Sequence, residues 1–254
     1  MYHLISDIHL ELYPKAKDII SKEIVKDKIL LLAGDIGNPS SNIYKTFITD
    51  MSNKYEKVFI VTGNHEYYQK YEKKDDINKY YRYDMDQVDN MINKFVLTLS
   101  NVHFLQRQSF IHNEIRYLGC TLWSLSDSIL SKYMSDYEYI KDFTTKISNN
   151  LFVQNVEWLR TELNKESDAY YATVVITHHL PSNKLIHKQY EEHPLNSFFA
   201  SNLDELVEKA DLWVCGHSHT SNYIKIGKCK CYMNPIGYSS ESSGFNPNLT
   251  IDLL

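Results

Sequence analysis

The chain has 254 residues, 43% hydrophobic and 23% charged, which suffices for a sizeable core and excludes disordered and fibrous classes. Acidic residues outnumber basic ones, 32 to 27, for a formal net charge of −5, whereas a protein built to grip a nucleic-acid backbone carries a basic surplus. Cys120, Cys215, Cys229 and Cys231 are too scattered for a disulfide scaffold, no apolar run reaches the roughly 20 residues of a membrane span, and no charged leader or cleavage site precedes the first strand, so reduced thiols and a cytoplasmic location are expected.

Three short apolar runs come first, each ending in a polar cluster: Tyr2 to Ser6 before Asp7, Ile29 to Ala33 before Gly34-Asp35, and Val58 to Thr62 before Gly63-Asn64-His65. Continuous apolar runs of this length suit buried parallel strands. The segments Lys15 to Lys26 and Ser40 to Lys54 are each long enough for a crossover helix, so the first third reads β-α-β-α-β. A polar, tyrosine-rich stretch from Glu66 to Leu99 follows, and Val88, Met91, Ile92, Phe95, Val96 and Leu99 recur in its second half at helical spacing. From Val102 to Trp123 short extended runs return, with Asn113 available to turn a hairpin between Phe110-Ile111 and Ile115 to Leu118. Ile129 to Asn164 is helical in character, with Leu151, Val156, Leu159 and Leu163 on the expected buried face of its last helix. Strands then resume: Ala172 to Thr177 leads into His178-His179, Leu212 to Cys215 into Gly216-His217-Ser218-His219, and Tyr223 to Met233 can form a hairpin turning at Gly227. No internal repeat, low-complexity tract or linker interrupts the pattern, so a single α/β domain over residues 1–254 is expected, with a helical, tyrosine-rich insertion at about 66–99.

The polar clusters share one kind of chemistry. Asp7, His9, Asp35, Asn64, His178, His217 and His219 each follow a predicted strand, and carboxyl ends of parallel strands are where ligands collect in open α/β sheets. All are oxygen or imidazole donors and none is a thiolate, a set that suits divalent manganese, iron or zinc. Asp7 with His9, and His217 with His219, are spaced i, i+2, which in extended chain puts both side chains on one face. Taken singly, each block has an ordinary reading: a turn at Gly34-Asp35, a strand exit with a helix cap at Gly63-Asn64, surface imidazoles at His178-His179. Their joint occurrence, in order and at strand ends, points instead to a metal centre. On the residues alone, either imidazole of His178-His179 could be the ligand.

This set resembles the calcineurin-like metallophosphoesterases, whose pattern runs Asp-x-His, Gly-Asp, Gly-Asn-His-Asp/Glu, a His after a strand, and Gly-His-x-His. All five blocks are present between Asp7 and His219. The resemblance implies a four-layer α/β/β/α sandwich and two divalent ions. One would be held by Asp7, His9, Asp35 and His219, the other by Asp35, Asn64, His178 and His217, with Asp35 bridging. Two cations about 3.5–4 Å apart repel strongly and need such an anionic ligand between them. The resemblance also implies a water between the ions as nucleophile, His65 as the residue that stabilises the transition state or protonates the leaving oxygen, and Glu66 orienting a neighbour. Because the family's ligand is the first residue past the strand, it implies His178, with His179 behind it.

Departures from related patterns narrow the expected substrate. Asp35 is followed by Ile36-Gly37-Asn38-Pro39 and not by the Val-Asp-Arg-Gly of Ser/Thr protein phosphatases. Asn38 stands where purple acid phosphatases have a metal-binding Tyr, His65 stands where lipid A precursor hydrolases carry Arg, and the second domain of periplasmic nucleotidases has no room. The expectation is an enzyme hydrolysing phosphate mono- or diesters, foremost a phosphodiesterase on a small or nucleotide-type substrate, with no membrane partner. The nearest alternative is a metal-dependent nuclease, with Tyr67, Tyr68, Tyr71, Tyr80, Tyr81 and Tyr83 as stacking surfaces. Lys70, Lys73, Lys74 and Lys79 are, however, interleaved with Glu72, Asp75 and Asp76, and the chain is acidic, so packing against core or lid is the preferred reading of the tyrosines. A catalytically silent metal-binding scaffold is the alternative from another class, and such a scaffold has no use for an acid at His65.

Overall fold

In the computed structural model, which describes residues 1–20, 25–69 and 83–253, the apolar runs become strands of two sheets. β1 (Tyr2–Ile5), β2 (Val25–Ala33), β3 (Tyr55–Val61) and β4 (Val102–Phe104) run parallel. In the second sheet β6 (Ile115–Gly119), β7 (Ala172–Ile176), β8 (Leu212–Cys215) and β10 (Cys229–Met233) are parallel, and β5 (Gln108–His112) and β9 (Asn222–Ile226) are its antiparallel edges. A short β11 (Thr250–Ile251) pairs antiparallel with β1 in the first sheet. Asn113 and Glu114, with φ of 49° and 56°, turn the β5–β6 hairpin in the left-handed conformation that matches strand twist.

Three apolar clusters define the layers. Between the sheets, Leu4, Leu31, Phe59 and Val61 meet Tyr117, Val174, Ile176 and Val214, with the Phe59 and Tyr117 rings stacked at 4.2 Å. On the outer face of the first sheet, α1 (Asn42–Lys54) and α2 (Met85–Val96) pack Tyr44, Phe47, Ile48, Val88 and Ile92 against Leu30, Leu32, Val58 and Ile60. On the outer face of the second, α4 (Thr145–Leu163) and α5 (Asp204–Val207) pack Val156, Leu159, Leu163 and Val207 against Leu118, Val175 and Trp213. Leu30 and Leu32 thus face one layer and Leu31 and Ala33 the other, as the two-residue strand period dictates. The architecture is the expected α/β/β/α sandwich. Local signals start the helices where they should: Ser41 caps α1 by accepting the Tyr44 N–H, and Asp84 with Gln87 forms a capping box on α2.

One expectation changes. Among the described residues the segment from Lys15 to Lys26 holds no crossover helix: a 3₁₀ turn at Ala16–Ile19 follows Pro14 and β2 already begins at Val25, while residues 21–24 lie outside them. In the tyrosine-rich insertion, α2 begins at Met85, while Tyr71, Tyr80, Tyr81 and the mixed run from Lys70 to Lys79 lie outside the described residues. Tyr67 is fully buried, its hydroxyl bonded to Thr62 Oγ1 at 2.8 Å and donating to Asp89 at 2.7 Å, so it is a core residue, and Tyr83 is partly buried against the outer cluster. Among the described residues no helix is long and apolar enough to cross a membrane, and all four cysteines are free and buried.

Candidate active site

The parallel direction of β1, β2 and β3 in one sheet and of β7 and β8 in the other brings five carboxyl ends together. Asp7, His9, Asp35 and His219 place donor atoms within 4.8 Å of one another, and Asp35, His178 and His217 do the same. Asp35 belongs to both groups, and one atom makes the link. Its Oδ2 lies 3.9 Å from His9 Nε2 and 3.4 Å from His178 Nε2, while its Oδ1 accepts the His65 N–H at 2.8 Å. Asn64 Oδ1 joins the second group, 3.1 Å from His178 Nε2. All seven residues expected as ligands are therefore in one of the two groups.

The backbone that achieves this is not extended, contrary to the i, i+2 expectation. Asp7, His9, Asp35, His217 and His219 have φ of 52°, 50°, 52°, 68° and 48°. Each pair converges through left-handed residues, a conformation that costs an L-residue about 1–3 kcal/mol and persists only where the surroundings impose it. Close backbone packing is what imposes it. A Cβ at Gly34 (φ +85°) would lie 2.5 Å from His178 Nδ1, and one at Gly63 would lie 2.1 Å from Asp35 Oδ1.

Each donor is aimed by a bond at its far end. His9 Nδ1 donates to Glu11 Oε1 (3.2 Å), His219 Nδ1 to Glu241 Oε2 (2.7 Å), and His178 Nδ1 to the Ala33 carbonyl (2.8 Å). Asn64 does not cap a helix with its side chain; its Nδ2 donates to Asp136 Oδ1 (2.8 Å), which turns Oδ1 toward His178. His217 directs Nε2 at the Phe198 carbonyl (3.3 Å), leaving Nδ1 for the cluster. His9 Nε2 and His219 Nε2 consequently face one another at 3.1 Å. Anchored imidazoles with the second nitrogen pointing inward are the arrangement that fixes tautomer and direction in metal sites, and this oxygen and nitrogen donor set fits two borderline-hard divalent ions.

Charge supports the same reading. Burial opposes ionisation of Asp7 and Asp35, yet the surrounding histidines hold Asp7 below and Asp35 well below the usual carboxylate range. Burial likewise opposes charge on the imidazoles, but Asp35 raises His178 to about 10 and Asp7 raises His219 to about 9. The cluster is thus organised around positive charge beside buried carboxylates.

His65 lies beside these groups and outside both. Its Nδ1 donates to Glu11 Oε1 at 3.0 Å, its Nε2 is 3.3 Å from the Tyr238 hydroxyl, and its ring stacks on Tyr68 at 4.0 Å. Glu11 Oε1 therefore receives His9 and His65 together, so Glu11, His9 and His65 form a hydrogen-bonded trio beside the two groups. Glu66 is turned away from the cluster and ties two motif loops together. Its Oε2 accepts the N–H groups of Asp35 (3.0 Å) and Gly63 (2.7 Å), and its Oε1 those of Ile36 (2.7 Å) and Gly37 (3.3 Å). Burial, then the Asp35 carboxylate, push Glu66 up to about 7, but with donors on both oxygens the geometry holds the carboxylate form. Glu66→Gln would aim an amide N–H₂ at two of these donors. Each buried N–H left without an acceptor costs about 1–3 kcal/mol, so thermal unfolding is expected roughly 5–15 °C lower for a chain of this size. An unchanged midpoint would show that the loops do not depend on this clamp.

His179 is buried behind the cluster, its ring 4.1 Å from His217 and 5.1 Å from Trp123, with Nδ1 unpartnered among the described residues. Burial, then the charge of His178, push it down to about 3. A neutral packing ring is a poorer loss than an inward-facing donor. His179→Ala is expected to lower kcat/KM by no more than about 10–100-fold, and His178→Ala by clearly more, with metal loss. The reverse ranking would make His179 the ligand.

Glu11, Asp136, Tyr238 and Glu241 join the site without being among the residues expected there. Glu11 had a signal, since it continues the alternation Asp7, His9, Glu11; the other three reach the site only through the fold. Among known proteins, residues 2–221 match the family model of the calcineurin-like phosphoesterases. An uncharacterised protein of Acanthamoeba polyphaga mimivirus is 30% identical over 280 residues, covering 98% of this chain and 95% of its own. Among solved structures, phosphopantetheinyl hydrolase of Mycobacterium tuberculosis superposes with a TM-score of 0.68 at 16% identity, covering 95% of this chain and 93% of that one. TT1561 of Thermus thermophilus gives 0.54 at 10% identity, covering 92% and 88%. These two structures are alike in fold. Tyr238 and Glu241 lie beyond the residues that the family model matches.

Proposed function

Because the chain belongs to the calcineurin-like phosphoesterase family, we propose that this metal-dependent phosphoesterase is a phosphodiesterase on small esters, nucleotide esters among them. Asp7, His9, Asp35 and His219 would hold one divalent ion, and Asp35, Asn64, His178 and His217 the other, manganese, iron or zinc being suited to these donors. The observation that carries this reading is the position of Asp35 Oδ2 between the two donor groups. When bound, such ions neutralise phosphate charge and activate a water for in-line attack.

The chain's own residues do the rest. Glu11 and Tyr238 hold the His65 ring at its two nitrogens, so that a proton can be delivered from Nε2. Glu241 and Ala33 fix the imidazoles, and Asp136 fixes the Asn64 amide. A diester is favoured over a monoester by charge. The described residues that line the adjoining cleft include no Lys or Arg, which suits the single negative charge of a diester better than the two of a monoester.

The test is hydrolysis by protein reconstituted with each metal, against an aryl monoester, an aryl diester, cyclic nucleotides and short DNA and RNA. Turnover is expected with the small diesters in the lead. Preference for DNA or RNA would install the nuclease reading, and no turnover with any metal would leave a scaffold.

A further inference from the structure

The cleft beside the metal cluster is far larger than a phosphate requires. Its volume is ≈ 1150 Å³, slightly above the roughly 300–1,000 Å³ of sites that enclose drug-sized ligands. Two aromatic walls lead outward, and each begins on a histidine of the site. From His65, Tyr68 stacks at 4.0 Å and Tyr139 follows at 5.4 Å. From His217, Phe199 stacks at 4.6 Å, and Ile186 and Tyr190 extend the lining on that side of the chain. At the mouth, Leu12, Tyr133 and Tyr190 leave 40%, 63% and 47% of their surface in water. Single exposed apolar residues are ordinary, but several grouped on one cleft mark a surface meant to be covered.

The carboxylates Glu11, Glu138 and Glu241 line the cleft, and no described lining residue is Lys or Arg. Glu11 is bonded to His9 and His65 and Glu241 to His219, and His187 and His193 also line the cleft, so the aromatic and aliphatic walls are what select an occupant.

We infer that this cleft binds the organic group of the ester, and that this group is bulky and apolar, an alkyl, acyl or aryl chain. The inference rests on the phosphodiesterase reading and narrows it. The cleft is continuous with the site where the phosphate is proposed to bind, so one molecule occupies both.

The test uses metal-loaded, full-length protein and p-nitrophenyl alkyl phosphodiesters from methyl to hexyl. Each methylene buried adds at most about fourfold, so kcat/KM is expected to rise about 10- to 100-fold across the series. Tyr133→Ser with Tyr190→Ser, both largely exposed positions, is expected to cut the hexyl-to-methyl ratio at least about fivefold by the same reasoning. Competitive inhibition by alkylphosphonates of rising length reads the cleft without turnover. An active enzyme with a flat length series, or one that prefers a nucleoside diphosphate ester to the hexyl diester, overturns the inference and leaves the phosphodiesterase reading intact. Length-graded phosphonate binding with no hydrolysis of any ester upholds the apolar cleft and overturns the reaction.

Discussion

Asp35→Asn and Asp35→Ala are each expected to reduce hydrolysis by about 10³-fold or more, since a metal ion supplies several kcal/mol of transition-state charge stabilisation and 1.36 kcal/mol is tenfold. Metal content should fall at both positions together. Two unit charges 4 Å apart repel by about 4 kcal/mol at an effective dielectric near 20, and two divalent ions by about four times that. Only an anion between them offsets such a term, and among the described residues Asp35 Oδ2 is the one carboxylate oxygen seen within 4 Å of an imidazole nitrogen in each group. Asp35→Asn is the sharper variant. It keeps the shape and an acceptor for the His65 N–H, which Oδ1 now receives at 2.8 Å, so it removes charge with little else. By contrast, His219→Ala should empty chiefly the first position and Asn64→Ala chiefly the second. Metal analysis beside steady-state rates checks the set, with thermal unfolding to exclude collapse of the fold. An Asp35 variant that loses one ion and retains the other near full occupancy would contradict the bridging role.

The sandwich and the convergence of the candidate ligands were legible because two signals coincide. Five apolar runs are parallel strands, and each carries its polar cluster at the carboxyl end, so topology alone sends Asp7, Asp35, Asn64, His178 and His217 to one place. Spacing misled only in detail: Asp7 and His9 share a target through left-handed backbone, and nothing in an Asp-x-His triplet distinguishes that from a strand face. What supports the ligands was mostly hidden. Asp136 comes from a four-residue helix, α3 (Asp136–Tyr139), with no periodicity to read, yet it is buried and aims Asn64. Tyr238 and Glu241 come back to His65 and His219 after β10 because Ile236 and Gly237 pair with Ser6 and Asp7 through backbone bonds of 2.9 Å. Such contacts are decided by where loops close, and a single sequence carries no local mark of that.

Replacing His65 with asparagine is expected to cost alkyl phosphate esters about 10²- to 10⁴-fold, the range of general acid catalysis, and activated aryl esters distinctly less. The departing oxygen gains negative charge as its bond to phosphorus breaks, and an alkoxide needs a proton where an aryl oxide does not. The geometry suits His65 to that transfer. Glu11 occupies Nδ1 and so leaves Nε2 as the donating nitrogen, facing Tyr238. Burial disfavours the imidazolium, but Asp35 and then Glu11 outweigh it and raise the His65 pKa, which keeps the proton available. Metal content should be unaffected, because the His65 side chain belongs to neither donor group and its backbone N–H, the group that meets Asp35, survives the substitution. Glu11→Gln should show the same leaving-group pattern in weaker form, about 10-fold as expected for an outer partner, because it acts through His65. Equal losses on alkyl and aryl esters would transfer His65 to charge stabilisation at the phosphoryl oxygens. Wild-type rates on alkyl esters would remove it from the reaction and, with it, the strongest reason to read this cluster as catalytic and not merely metal-binding.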